Sequence, residues 1–368
     1  MAWRKKKYIV ANILDIYIMK KLLATFFIAI GLISMIIIVF DLSEKLDDFI
    51  SNQAPIKGLI FDYYINFIPH FVNMFGYLFF FISVVFICSQ LTGRSETIAV
   101  LSSGISFRRF MRPFLICAFF VALINLWLGN VLVPNANVPK LEFEKTYYRN
   151  PYHNQFYNIH IQTSKDTQVY VQRYNNALVT GYKFTQEKFK DKQIVQKIHS
   201  ETIVYDSIRE MWKMENYFIR NIDGLKETIE QGEQKYINIG LLPNDFNINQ
   251  IKTEVLDYKQ LNEAIERETM RGSNIVTKLQ VEKYQRLINP LAYIILTVIG
   301  VSLCSEKKKG GMGLNLAIGI MLAFSLIMIM KMTQVFATNA NMPAAVAVSL
   351  PLAVYGIIAA VLVAKAPK

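Results

Sequence analysis

The chain has 368 residues, 53% of them hydrophobic and only 18% charged, and its formal net charge is +12. That balance excludes an ordinary soluble domain, which is richer in charge and mixes polar with apolar residues more finely. Here the apolar residues gather into blocks long enough for a bilayer core of about 30 Å, which takes roughly 20 helical residues to cross; the middle of the chain reads instead as a polar domain.

The chain opens on a basic cluster, Arg4-Lys5-Lys6-Lys7, and Ile9, Ile13, Leu14, Ile16 and Tyr17 then recur at helical spacing. The stretch from Tyr8 to Lys21 therefore either lies along the membrane surface or leads straight into the first span. That span runs without a charge from Leu22 to Phe40, and no small-x-small cleavage pattern precedes Asp41-Leu42-Ser43-Glu44. It is expected to be a retained anchor and not a signal peptide. Further spans are expected at Phe71–Leu91 and Phe114–Val133, then at Leu287–Leu303, Leu314–Val335 and Ala344–Ala364. Pro290 and Pro351 are tolerable there, because helices in lipid accept proline more readily than soluble ones.

Between spans three and four the pattern changes to period two. Short runs such as Tyr157/Ile159/Ile161, Val169/Val171, Tyr182/Phe184, Trp212/Met214 and Tyr236–Ile239 are separated by turn signals at Asn175-Asn176, Lys190–Lys192 and Asp223-Gly224. Such runs predict an antiparallel sandwich or open barrel. The apolar faces could bury against a second sheet or against acyl chains of a ligand. After Leu242-Pro243 a surface helix is expected over Leu256–Arg271. The domain bounds read this way are 1–135 for a first membrane half, 136–255 for the β-domain, and 256–368 for a connecting helix with a second membrane half.

Positive charge sets the orientation, since Lys and Arg concentrate on the cytoplasmic edge of membrane proteins. One side carries Arg4–Lys7, Lys20, Lys21, Arg94, Arg108, Arg109, Arg112, Lys307–Lys309, Lys365 and Lys368, against the acids Asp15, Glu96 and Glu306. The opposite short loops hold Lys45 and Lys57 beside Asp41, Glu44, Asp47 and Asp48. Both termini are expected in the cytoplasm and the polar domain outside. The same distribution argues against nucleic-acid binding, because residues 134–283 carry 21 bases and 20 acids and so have no basic surplus to meet phosphates.

Chemistry-bearing motifs are few. There is no phosphate loop to hold ATP, and no HExxH, GxSxG or CxxC. His70, His153, His160 and His199 are scattered, and Cys88, Cys117 and Cys304 sit in or beside apolar blocks. Neither a metal site nor a catalytic constellation is expected. The informative segment is Thr92–Phe110, where Ser95-Glu96 can start a short helix, Gly104 can end it and Ser106 can cap a second one carrying Arg108 and Arg109. A short helix held parallel to the membrane either fits a groove on a soluble partner or packs on the bilayer. Lys331 is the one base in the fifth span, placed to snorkel outward or to face an internal cavity. Lys45 poses the same choice, although Asp41 and its acidic neighbours favour a local salt bridge.

These residues resemble the LptF/LptG (YjgP/YjgQ) family of lipopolysaccharide-export permeases. The likeness rests on Ile13–Lys21, on Ser95-Glu96 with Ser102–Ser106, on Tyr284, Arg286 and Pro290, on Lys307–Gly313, and on the order of three spans, large domain, three spans. The Ile-Leu-Asp-x-Tyr-Ile opening is closer to LptG than to LptF. The resemblance implies a permease subunit in the bacterial inner membrane, with a periplasmic β-jellyroll, that extracts lipopolysaccharide and passes it to a periplasmic bridge. It implies pairing with a second LptF/LptG-type permease, an LptC-like periplasmic protein, and an LptB-like ATPase dimer that carries the ATP and Mg. Arg94, Ser95, Glu96, Ser103, Gly104 and Arg108 would then form the ATPase-coupling loop. The first and fifth spans would form lateral gates, with Lys45 and Lys331 as lipid-cavity or gate residues. Two readings from other classes stand beside this one. A non-transporting scaffold or sensor with an outer β-domain would need no ATPase, and a secondary transporter would need intramembrane acids, which the six apolar cores lack.

Overall fold

The structure, a computed structural model, describes residues 13–148, 155–191, 193–224, 226–246, 253–270, 272–273, 275–305, 311–340 and 342–365. The basic clusters Arg4–Lys7 and Lys307–Lys309 lie outside these. Two compact units form, one from Met1–Tyr148 with Gln280–Lys368 and one from Arg149–Leu279.

In the first unit α1 (Ile13–Ser51), α2 (Ile56–Gly93) and α4 (Phe107–Tyr147) are long helices, with the short α3 (Glu96–Ser102) between the last two. In the second half, α6 (Ile275–Ile288) and α7 (Pro290–Cys304) make a pair bent by 49°, followed by α8 (Gly311–Asn339) and α9 (Ala344–Lys365). Five helices are long and apolar enough to cross a membrane, and the bent pair brings the number to six. The bend falls at Asn289-Pro290, where proline withholds a backbone donor.

The long helices overrun the apolar blocks. At 1.5 Å per residue, the 39 residues of α1 extend well past a bilayer core of about 30 Å. The acidic segment after Phe40 is therefore helix and not loop, and the start of α1 at Ile13 favours a direct lead into the span. Likewise α4 continues through Pro134 and Pro139 to Tyr147, so the β-domain does not begin at 136. A widened turn explains how the helix passes Pro134. Over Leu128–Leu132 the backbone takes π-helical bonds, with the Val133 N–H reaching Leu128, and such turns relieve the pattern that proline would otherwise break. The second boundary also shifts, since helix α5 (Tyr258–Met270) groups with the β unit.

The membrane core forms where α2 and α7 meet. Phe80, Phe81, Val84, Tyr293, Leu296 and Ile299 are buried there. Gly76 lets the two helices approach, because a Cβ there would collide with the Tyr293 hydroxyl and otherwise meet only the ring at 3.5 Å. Buried hydroxyls are satisfied within their own helices: Ser83 donates to Phe79 O at 2.8 Å and Thr297 to Tyr293 O at 2.6 Å. The outward faces of α1 and α8 are apolar and bare, with Phe27, Leu32, Met35, Met321, Phe324 and Met328 exposed. On a membrane helix that surface meets lipid or another membrane helix.

The second unit holds one six-stranded antiparallel sheet in the order of the chain: β1 (Gln155–Ser164), β2 (Thr167–Asn175), β3 (Thr180–Lys190), β4 (Gln193–Asp206), β5 (Met211–Asp223) and β6 (Lys226–Ile237). A row of left-handed residues crosses it. Asn158, Lys183 and Asn216 have φ of 52°, 52° and 49° and occupy the same register line on β1, β3 and β5. At this line the buried positions step by three and not by two: Val171 to Tyr174, Phe184 to Gly181, Ser200 to Ile203. Alternation inverts there, so side chains that regular pleating would send to opposite faces reach one core. Trp212, Tyr174 and Phe246 close it. Trp212 is 1% exposed, donates from Nε1 to Leu241 O at 2.8 Å and packs edge-on against Phe246. Burial pushes the Tyr174 hydroxyl pKa up to about 12.

Candidate functional site

The loop between α2 and α4 is the most constrained polar feature of the first unit. Helix α3 is only seven residues long, too short to stand by itself, and its stability comes from its anchors. Its inner face is held by Thr97, which is fully buried. Thr92 Oγ1 contacts Thr97 Oγ1 at 3.0 Å and donates to the Cys304 carbonyl at 2.7 Å. The loop is thereby tied to the end of α7, the first straight segment of the second membrane half.

The expected caps are present in altered form. Ser95 begins the helix through its carbonyl, which accepts from Ala99 N at 3.0 Å. Its backbone is left-handed (φ 62°), and its hydroxyl makes no cap bond. Ser106 likewise starts α4 by its carbonyl, accepting from Arg109 N and Phe110 N, with no side-chain cap. Gly104 does end the segment as expected, at φ 86°, a conformation that glycine takes without the Cβ penalty other residues meet. The Ser102 and Ser103 hydroxyls tie off the last carbonyls, at Ala99 and Val100.

The outer face is bare. Arg94, Ser95, Ile98, Ala99, Ser102, Ser103, Gly104 and Arg108 are exposed, and Glu96 is half-buried. Glu96 Oε2 accepts a hydrogen bond from Tyr17 Oη at 3.3 Å, and Lys21 Nζ contacts the same hydroxyl. Arg108 points outward, whereas its neighbour Arg109 grips Asp15 with two bonds of 2.7 and 2.6 Å. Asp15 is 1% exposed, and a carboxylate so far from water needs such a partner.

Asp15, Tyr17, Thr92 and Thr97 were not singled out by sequence. A signal for Asp15 existed, since it falls on one stripe with Ile18, Leu22, Phe26 and Ile30, and an acid on a buried stripe demands a cation. The remaining candidates lie apart from this loop. Lys45 is paired with Asp41 at 2.5 Å, touches the Tyr63 hydroxyl, and sits 4.9 Å from the Tyr148 ring centre. It forms the local salt bridge that its acidic neighbours favour. Lys331 is exposed on the outward face of α8, next to exposed Met332 and one turn from Met328. Among the described residues no three His, Cys, Asp or Glu side chains converge to hold a metal.

Apolar crossings, an antiparallel β-domain outside the helical unit and a short surface helix clamped between two crossings define a multi-pass membrane protein. Residues 16–365 match the family described as lipopolysaccharide export system permease LptF/LptG. The match spans nearly the whole chain, and the protein belongs to that family, whose members are transport components of the inner membrane and not enzymes in themselves. No curated protein matches the chain.

Proposed function

We propose that this chain is the permease subunit of an ABC-type lipopolysaccharide exporter, with α3 seated in a groove of a separate LptB-like ATPase dimer. The ATP and Mg belong to that dimer. A second LptF/LptG-type chain pairs with this one, and an LptC-like protein takes the lipid from the β-domain in the periplasm. The asymmetry of Lys and Arg supports cytoplasmic termini and a cytoplasmic α3.

One observation carries the reading: α3 is fixed by Thr97 on its inner face and presents Ile98, Ala99, Ser102 and Ser103 bare on the other. A short helix fixed on one side and unpartnered on the other is a lever for a partner to push. Lipid extraction supplies the need for a motor, since exposing acyl chains to water costs about 0.8 kcal/mol per CH₂. Glu96 stands at the positive end of α3, where its charge is favourable and within reach of a donor on the partner.

The test is Glu96→Ala in the full chain. The ATPase co-purified in mild detergent is expected to fall by roughly tenfold or more, the factor lost with one charged hydrogen bond, at unchanged membrane content of the chain. Unchanged ATPase recovery together with normal surface lipopolysaccharide would refute the docking role.

A further inference from the structure

Both ends of the α2–α4 loop are bonded to the same turn of α1. At its start, Glu96 accepts from Tyr17; at its close, Arg109 holds Asp15 by a two-bond fork. Asp15 and Tyr17 are two residues apart at the foot of α1, and Lys21 braces the Tyr17 hydroxyl from the next turn. The link from Ser103 to Ser106 leaves little slack between the two attachments. α1 itself is held to the bundle through a single stripe, Ile18, Leu22, Phe26 and Ile30, while the rest of its crossing is apolar and exposed. A helix gripped along one stripe and fastened at its foot turns or tilts when the foot is moved. A paired guanidinium and carboxylate fix orientation as well as distance, so this contact carries a direction of motion, which one point contact does not.

We propose that Asp15, Tyr17 and Arg109 are positioning residues that transmit movement of α3 to α1, making α1 the helix of the first half that answers the stroke. This rests on the proposed ATPase docking and adds what happens after it. The Thr97–Thr92–Cys304 link is the counterpart toward α7, a buried hydroxyl-to-carbonyl chain that holds α3 in place. The loop therefore has a fixed side toward α7 and a working side toward α1.

The experiment replaces the cell's own copy with affinity-tagged full-length chain carrying Tyr17→Phe, Asp15→Asn or Arg109→Lys. Three quantities are read: the ATPase co-purified, ATP hydrolysis by the purified complex, and newly made lipopolysaccharide reaching the cell surface per unit of complex. Tyr17→Phe removes one hydroxyl, and surface delivery should fall about fivefold, the factor for one ordinary hydrogen bond, with docking and hydrolysis unchanged. Asp15→Asn should fall further, and Arg109→Lys, which keeps the charge and loses the fork, should lie between it and the unaltered chain. Normal delivery in Tyr17→Phe and Asp15→Asn overturns the proposal. Loss of the ATPase in Tyr17→Phe also overturns it, because the contact would then serve docking and not transmission. If Asp15→Asn fails to accumulate, Tyr17→Phe decides. If the unaltered chain retains no ATPase, the docking reading itself falls and this inference falls with it, an outcome distinct from a failure confined to the variants.

Discussion

Trp212→Ala is expected to unfold the β-domain while leaving the helical unit intact. The indole is fully enclosed by Tyr174, Tyr205 and Phe246, and truncating a buried Trp typically costs about 3–5 kcal/mol. The Leu241 carbonyl, which accepts from Nε1, would also lose its donor, adding about 1–3 kcal/mol. Together these approach the whole stability of a domain, roughly 5–15 kcal/mol. Limited proteolysis of the full chain in detergent should show new cuts between Gln155 and Phe246, with the helices still protected. Trp212→Phe keeps most of the apolar contact and should retain most of the protection. Equal resistance in Trp212→Ala and the unaltered chain would show that the domain is closed by something other than this cluster.

The second large effect is expected in the membrane core. Gly76→Ala places a methyl group where the Tyr293 hydroxyl sits. Tyr293 is enclosed by Tyr77 and Phe80, so its ring has little room to withdraw, and overpacking of this kind costs about 1–3 kcal/mol. Thermal unfolding in detergent should shift down by several degrees. Tyr293→Phe removes the colliding oxygen and leaves the ring edge at ordinary contact distance, so the double variant should recover most of the loss. If Tyr293→Phe gave no recovery, the close approach of α2 and α7 at this point would be incorrect.

The apolar blocks were readable because lipid imposes a length on them and tolerates few charges within. The helical ends were not, because the segments after Phe40 and Val133 are polar and the second contains Pro134 and Pro139. What keeps them helical is packing that composition does not encode, as Phe49, Tyr63 and Phe143 cluster beyond the apolar blocks. The strands were legible as short period-two runs, and the left-handed row explains why they were short. Asn158 and Asn216 belong to a residue type that adopts this conformation more readily than most, but Lys183 does not, and a register line across three strands is invisible along one. In the surface loop, Glu96 and Gly104 were visible as helix-start and helix-end residues. The bond from Arg109 to Asp15 was hidden because it spans 94 positions, and both residues also fit the bland account of charges at a membrane edge.

Sidedness bears most directly on the account, because a motor inside the cell can act on α3 only if the sheet lies on the other side. Ile208, at the turn between β4 and β5, is 95% exposed, and Ser103 is exposed at the end of α3. The native thiols Cys88, Cys117 and Cys304 are all buried and give a low background. With a membrane-impermeant maleimide on cells whose outer membrane has been opened, Ile208→Cys should label at once. Ser103→Cys should label only after the inner membrane is broken. The reverse pattern would put the β-domain in the cytosol and contradict the export mechanism.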